Sequence, residues 1–224
     1  MLVAGSCSSV GDRVNAVERL TVSPANPDAR ALAHAADILA RGGLVVFPTD
    51  TLYGLAADPR NACAVERVFR AKGRSAGQAL PLIAASLAQV EAAATSLSPL
   101  TRRLAERFWP GPLALVVDAV ASIVPGVHGG TGAVAIRVPD HAVARGLASQ
   151  LAFPIVSTSA NRSGEEATST VGAAMDLLDG MVDLVLDSGP TTGGEPSTVV
   201  DARTGRPQLL RAGAVPFASV LEVL

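Results

Sequence analysis

The chain has 224 residues, a formal net charge of −2 and 49% hydrophobic residues, enough apolar material for one folded domain. With 17% charged residues and a mean hydropathy of +0.37, it is not a disordered tail. Lys72 is the only lysine, and the other 17 of the 18 basic side chains are arginines. Any chemistry that needs a lysine must therefore use Lys72, and no G-x-x-x-x-G-K-[ST] phosphate loop surrounds it.

Residues 1–22 read as a flexible leader and residues 23–224 as a single catalytic domain. Asp28 is placed to cap a helix over Ala29–Arg41, with Leu32, Ala35, Ala36 and Leu39 on one face and Gly42-Gly43 ending it. Leu44–Phe47 is an apolar run stopped by Pro48, which predicts a buried strand. Asn61 caps a second helix to about Ala71, and Leu80–Ala85 reads as a strand. Ser86 and Ser98-Pro99 start two further helices, and Trp109–Pro112 must turn. Leu113–Val117 and Ala133–Val138 are expected strands, and Asp140 is expected to cap the next helix. Pro154–Ser157 follows as a strand, then a helix near Val171–Leu178. Strands are expected at Leu184–Leu186, Thr198–Val200 and Gln208–Leu210, with a short helix at the end. This alternation predicts an α/β fold, one domain with a twisted mixed sheet flanked by helices.

The remaining counts exclude further classes. Cys7 and Cys63 give no disulfide framework and no C-x-x-C. His34, His128 and His141 lie far apart in sequence, without the spacing of a zinc site. The longest charge-free window, Ala119–Ile136, contains Pro125 and four glycines and reads as strand and loop, not a membrane span. The N-terminus lacks a basic region followed by a long apolar one, so a cytoplasmic protein without membrane contact is expected.

Four polar segments interrupt the apolar pattern. Pro48–Leu55 places Thr49, Asp50 and Thr51 after a strand, where open α/β sheets put their ligands, and holds the only tyrosine, Tyr53. Lys72 and Arg74 flank Gly73: a compact ammonium beside a planar fork suits a polyphosphate, although cations at a helix C-terminus also serve the helix dipole. Ser157–Gly164 closes a strand with hydroxyls able to meet phosphate or ribose. Gly193–Asp201, with Ser197, and Leu210–Gly213, with Arg211, bring glycines and an arginine behind strands. In addition, Arg137 lies in the apolar strand Val134–Val138 and needs an anionic partner, either Asp140 or a substrate carboxylate. Hydroxyls, one lysine and several arginines without a G-x-S-x-G elbow suit an anionic nucleotide plus a small zwitterion better than a serine hydrolase.

The segments PTDTLYGLAADP, FRAKGR, FWPGPL, VAIRVPDH, STSANRSG, PSTVVD and LLRAG occur in the order typical of the YrdC-type threonylcarbamoyl-AMP synthases, and the chain resembles the single-domain form of that family from about Asp28 onward. The resemblance implies a YrdC-like fold around a basic cavity and a nucleotidyltransferase that joins L-threonine, bicarbonate and ATP into threonylcarbamoyl-AMP with release of pyrophosphate. That is the first step of threonylcarbamoyl-adenosine modification of tRNA. By the same resemblance, Lys72 and Arg74 are catalytic and face the phosphates, and Ser159, Asn161 and Arg211 complete the ATP site. Thr51, Arg137 and Ser197 take the threonine. Mg²⁺ is expected to ride on ATP without dedicated protein ligands, and no organic cofactor is implied. A transient contact with the transferase complex that consumes the product, and weak tRNA contact, are the further partners implied. The chain departs from the family where relatives often carry a glutamate at Asp50 and a histidine after N-P-L-I-V: Gln78–Ile83 holds none, and Ala114 and Ala133 replace common threonines. Other carbamoyl-transfer chemistry on the same fold is the competing enzyme reading. A non-catalytic RNA-binding module is the other alternative, weakened by near-neutral charge and 3% aromatic residues.

Overall fold

The structure, a computed structural model, describes residues 17–74, 77–161, 169–178 and 180–224. The first strand, β1 (Glu18–Thr21), is followed by α1 (Ala29–Ala40). The Asp28 carboxylate caps α1 by accepting from the Arg30 N–H at 2.9 Å, and Leu32, Ala35, Ala36 and Leu39 form its buried stripe, as expected. Strands β2 (Val45–Pro48) and β3 (Tyr53–Ala56) pair antiparallel and are buried on both faces. Asn61 caps α2 (Ala62–Ala71) through two backbone N–H groups. The short β4 (Leu82–Ile83) precedes α3 (Leu87–Ala93) and α4 (Pro99–Phe108), whose caps Ser86 and Ser98 were legible in the sequence. The turn after α4 contains a cis Trp109–Pro110 peptide. Then come β5 (Leu113–Asp118), α5 (Pro125–His128), β6 (Ala133–Arg137), α6 (Ala142–Gln150), β7 (Ile155–Val156), β8 (Thr158–Ser159), α7 (Val171–Leu178), β9 (Leu184–Asp187), β10 (Thr198–Asp201), β11 (Gln208–Arg211) and α8 (Phe217–Leu221).

The strands form two mixed sheets where the sequence predicted one. The first has the order β1-β9-β2-β3-β8 and the second β11-β10-β5-β6-β4-β7. The chain crosses from the second sheet to the first at Ser157, between β7 and β8, with the Ser157 N–H on the Pro81 carbonyl at 2.9 Å. Local apolar patterning carries no information about this crossing, because pairing partners are set by tertiary contacts. One large core cluster joins elements of both sheets to α2, α3, α5 and α7. A second packs α1 and α6 on the first sheet, and a third packs α4 and α8 on β5 and β10.

Three expectations are corrected. Glu18–Thr21, inside the expected leader, pairs parallel with β9 and so belongs to the sheet; residues 1–16 of the leader lie outside the described residues. Asp140 does not cap α6. The capping position is His141, without a side-chain cap bond, while the Asp140 N–H donates to Asp50 and its carboxylate takes Arg145. Cys63 is disulfide-bonded, and the chain's other cysteine, Cys7, lies outside the described residues.

Candidate active site

Lys72 ends α2 and points inward, with only 4% of its surface exposed. Its Nζ donates to the Ser159 carbonyl at 2.6 Å, the Asn161 carbonyl at 2.6 Å and the Asn161 Oδ1 at 3.2 Å. All three donors of the ammonium are thereby engaged. Burial lowers its pKa from the ordinary 10.5 to about 8, and the nearby Arg74 charge adds to the shift. Gly73 adopts φ +57°, which reverses the chain straight after the lysine, so Arg74 leaves in another direction and its Nε donates to the Gln78 side chain. The Ser159 hydroxyl donates to Asn161 Oδ1 at 2.5 Å. The lysine from one motif and the serine and asparagine from another, 87 and more residues apart, are thus one hydrogen-bonded unit.

This unit connects to the Pro48–Leu55 segment through the sheet. Gly54 of β3 pairs with Ser159 of β8, and the Ala160 N–H donates to the Tyr53 carbonyl at 2.9 Å. Upstream, the Thr49 hydroxyl donates to the Leu52 carbonyl at 2.7 Å and accepts from the Thr51 and Leu52 N–H groups, which sets the turn carrying Thr51. The partner of Arg137, left open between Asp140 and a substrate, is Asp50. Arg137 Nη1 donates to Asp50 Oδ1 at 2.7 Å and Oδ2 at 2.9 Å, and weakly to the Gly111 carbonyl at 3.4 Å. Among the described residues the Nε and Nη2 of Arg137 have no hydrogen-bond partner, and neither is sealed from the surface.

Arg211, at the end of β11, lies across Ser197. Its Nε and Nη2 donate to the Ser197 carbonyl at 3.1 and 2.7 Å, and Nη2 also to the Ser197 hydroxyl at 3.1 Å. Burial, and then the charge of Arg137, lower the pKa of Arg211, so the two guanidinium groups feel one another. The candidate residues therefore form two linked groups: Lys72, Ser159 and Asn161 beside Arg74, and Thr51 with Arg137 beside Ser197 and Arg211. Two cavities, of about 220 and 320 Å³, lie elsewhere; one is lined by Ser98, Thr101 and Arg203, the other by Asp37, Arg60 and Gln150. Arg162, Ser163 and Gly164 of the hydroxyl-rich segment lie outside the described residues.

The sequence left the roles of three residues open. Asp50 reads as an aspartate at a strand end near a ligand and as a departure from the family's glutamate, not as the partner of Arg137. Tyr53, fully buried, donates its hydroxyl to the Gly189 carbonyl at 2.6 Å and accepts from the Ser188 N–H at 3.2 Å, latching the 188–192 loop to β3. His141 carries, among the described residues, the one buried side-chain nitrogen or oxygen without a partner, Nδ1. Burial lowers the pKa of its imidazole, against the pull of Asp50 and Asp140 and with the push of Arg145. The lone tyrosine was a usable signal for the latch; nothing local marked His141 or the pairing of Asp50 with Arg137.

Comparison with known proteins places this arrangement. The Sua5/YciO/YrdC family model, described as "Telomere recombination", matches residues 37–213. The chain is 40% identical over 174 residues to a threonylcarbamoyl-AMP synthase of Thiobacillus denitrificans, covering 78% of this chain and 91% of that one. It is 37% identical over 190 residues to a threonylcarbamoyl-AMP synthase of Pyrococcus abyssi, covering 85% of this chain but 56% of that one, so it spans about half the length of that relative. Among solved structures it resembles P. abyssi Sua5 complexed with L-threonine, with a TM-score of 0.86 and 35% identity over 92% of this chain and 60% of that one. It also resembles E. coli YciO, with a TM-score of 0.81 and 26% identity over 89% of this chain and 97% of that one. The order of the motifs, the two-sheet fold and the match over residues 37–213 agree, and the chain belongs to the Sua5/YciO/YrdC family.

Proposed function

We propose that this chain synthesises L-threonylcarbamoyl-AMP from L-threonine, bicarbonate and ATP, releasing pyrophosphate, as the first step of threonylcarbamoyl-adenosine formation in tRNA. The observation that carries the reading is the convergence of two cationic groups of different character. One is a buried ammonium locked to the Ser159–Asn161 loop; the other is a pair of guanidinium groups, one of which has, among the described residues, no hydrogen-bond partner on its Nε–Nη2 edge. The names of the relatives and the threonine bound to P. abyssi Sua5 support it.

In this reading the free amine of threonine attacks bicarbonate, with loss of water, or CO₂, with loss of a proton from the nitrogen, to give a carbamate. A carbamate oxygen then attacks the α-phosphorus of ATP, and the bond to the departing pyrophosphate breaks. Negative charge spreads over phosphoryl oxygens, so catalysis is positional and electrostatic. Arg74, half-buried and held through its Nε alone, supplies guanidinium donors to the phosphates. Lys72 has no donor to spare in the arrangement described. It therefore holds the Ser159–Asn161 loop and adds its charge at the phosphate end, rather than gripping a phosphate as a free side chain. Ser159 and Asn161 meet the nucleotide, with Arg211 as a further cation. Arg137 takes the threonine carboxylate, and Thr51 and Ser197 its remaining polar atoms. In this reading the cations surround the labile carbamate and keep it from water.

Mg²⁺ would neutralise phosphate charge, entering on ATP with phosphate oxygens and water as ligands. Among the described residues, Asp50 is paired with Arg137 and Asp187 with Arg19, and no cluster of metal-ligating side chains is present, which fits a metal carried by the nucleotide. No helix among the described residues is long and apolar enough to cross a membrane. The product passes to a cytoplasmic transferase complex, with transient contact and weak tRNA contact at most. Threonine-dependent pyrophosphate release from ATP tests the reading. Release that needs both threonine and bicarbonate is expected; turnover with carbamoyl phosphate and none with threonine would assign other carbamoyl chemistry.

A further inference from the structure

Asp50 joins three segments that are far apart in sequence. Its carboxylate receives both bonds from Arg137 Nη1 and, at 3.2 Å, the Asp140 N–H that precedes α6. Its own carbonyl receives the Thr192 hydroxyl at 2.9 Å, which seats the 188–192 loop beside it. The side chains of the ion pair are nearly buried, with Arg137 8% and Asp50 12% exposed. A pair of that kind is a weak source of stability, because desolvation offsets much of its attraction. Its geometry is more informative. Asp50 occupies one terminal nitrogen of Arg137 and leaves the Nε–Nη2 edge, the side-on fork that matches the two oxygens of a carboxylate.

We propose that Asp50 is a positioning residue for amino-acid recognition. It acts through Arg137, fixing the guanidinium so that the Nε–Nη2 fork is held open for the substrate's α-carboxylate. The inference rests on the proposed threonine-dependent reaction and adds a specificity determinant to it. Asp50→Asn keeps the size and one acceptor but removes the charge, so the clamp on Arg137 loosens.

The test uses the purified full chain and pyrophosphate release, with KM for threonine and for ATP measured separately. Asp50→Asn is expected to raise the threonine KM at least tenfold and leave the ATP KM within twofold. Arg137→Lys, which keeps the charge and loses the fork, is expected to raise the threonine KM by a similar factor. The double variant is expected to be no worse than the worse single one, because the two residues act as one unit. A threonine KM within twofold of wild type in Asp50→Asn, or losses that multiply in the double variant, would overturn the proposal. Should Asp50→Asn not fold, Asp50→Ser takes its place under the same criteria. If neither folds, Asp50 belongs to the fold alone and the proposal fails. A wild-type chain that releases no pyrophosphate with threonine overturns the functional reading instead, so the two failures are distinguishable.

Discussion

Replacing Lys72 by methionine removes an ammonium while nearly keeping the length of the side chain. Three oxygens, the carbonyls of Ser159 and Asn161 and the Asn161 side-chain oxygen, lose a donor in a site where the lysine is only 4% exposed. The Asn161 side-chain oxygen still accepts from the Ser159 hydroxyl and the Ser159 carbonyl from the Asn161 N–H, so the loss centres on the charge-assisted bond to the Asn161 carbonyl, about 1.5–3 kcal/mol. Removing a charge whose burial and Arg74 neighbour lower its pKa from 10.5 to about 8 offsets up to roughly 3 kcal/mol. The net change in stability is then within about 3 kcal/mol, a Tm shift of no more than about 6–12 °C for a chain of this size. Pyrophosphate release should fall at least tenfold, and Lys72→Arg should not restore it, because a planar fork cannot direct three donors onto three converging oxygens. The pH dependence gives a further check. Between pH 8 and 10.5 the unfolded chain keeps a proton that the folded chain has lost, so the stability contributed by this group rises with pH through that window. Activity should move the other way and decline above about pH 8, as the cation is lost. A folded Lys72→Met variant with near-wild-type turnover at saturating ATP and threonine, or Lys72→Arg with full activity, would refute the reasoning.

Other outcomes follow from the same geometry. Tyr53→Phe deletes the bond to Gly189 and the one from Ser188, and should cost about 1–3 kcal/mol in chemical denaturation while loosening the 188–192 loop toward proteolysis. Thr198→Val removes a buried hydroxyl that both donates to and accepts from Val215, and should destabilise the chain by about 1–3 kcal/mol without changing either KM. The imidazole of His141 is held neutral in the folded chain below its ordinary pKa of 6.5. Stability is therefore lost as pH falls through about 6.5, and His141→Gln should flatten that part of a denaturation-against-pH curve. Arg211→Ala should raise the ATP KM more than the threonine KM; the reverse pattern would move Arg211 to the amino-acid end.

Helices with caps were legible almost to the residue, since Asp28, Asn61 and Ser98 act on neighbours two or three positions away. Short strands were less so. Leu80–Ala85 reads as six strand residues, yet only Leu82 and Ile83 pair, because only there do β6 and β7 lie alongside. Strand β3 was hidden in a polar run, β8 in a hydroxyl-rich one, and β1 in the expected leader, where its mostly exposed residues carry no buried stripe; the pairing with β9, the Arg19–Asp187 and Glu18–His34 contacts and the packing of Leu20 hold it. The site residues were legible as types at strand ends, not as a geometry. That Lys72 reaches Asn161 across 89 positions, and Arg137 reaches Asp50 across 87, follows from sheet pairing that no local pattern specifies.

The proposed reaction joins threonine, bicarbonate and ATP. The most direct measurement is mass spectrometry of the purified chain incubated with the three substrates and Mg²⁺. The expected product is a species with the mass of threonylcarbamoyl-AMP that takes up label from ¹³C-bicarbonate and is absent when threonine is omitted. A folded preparation that consumes ATP yet yields no such adduct, or yields it without threonine, would rule out that reaction.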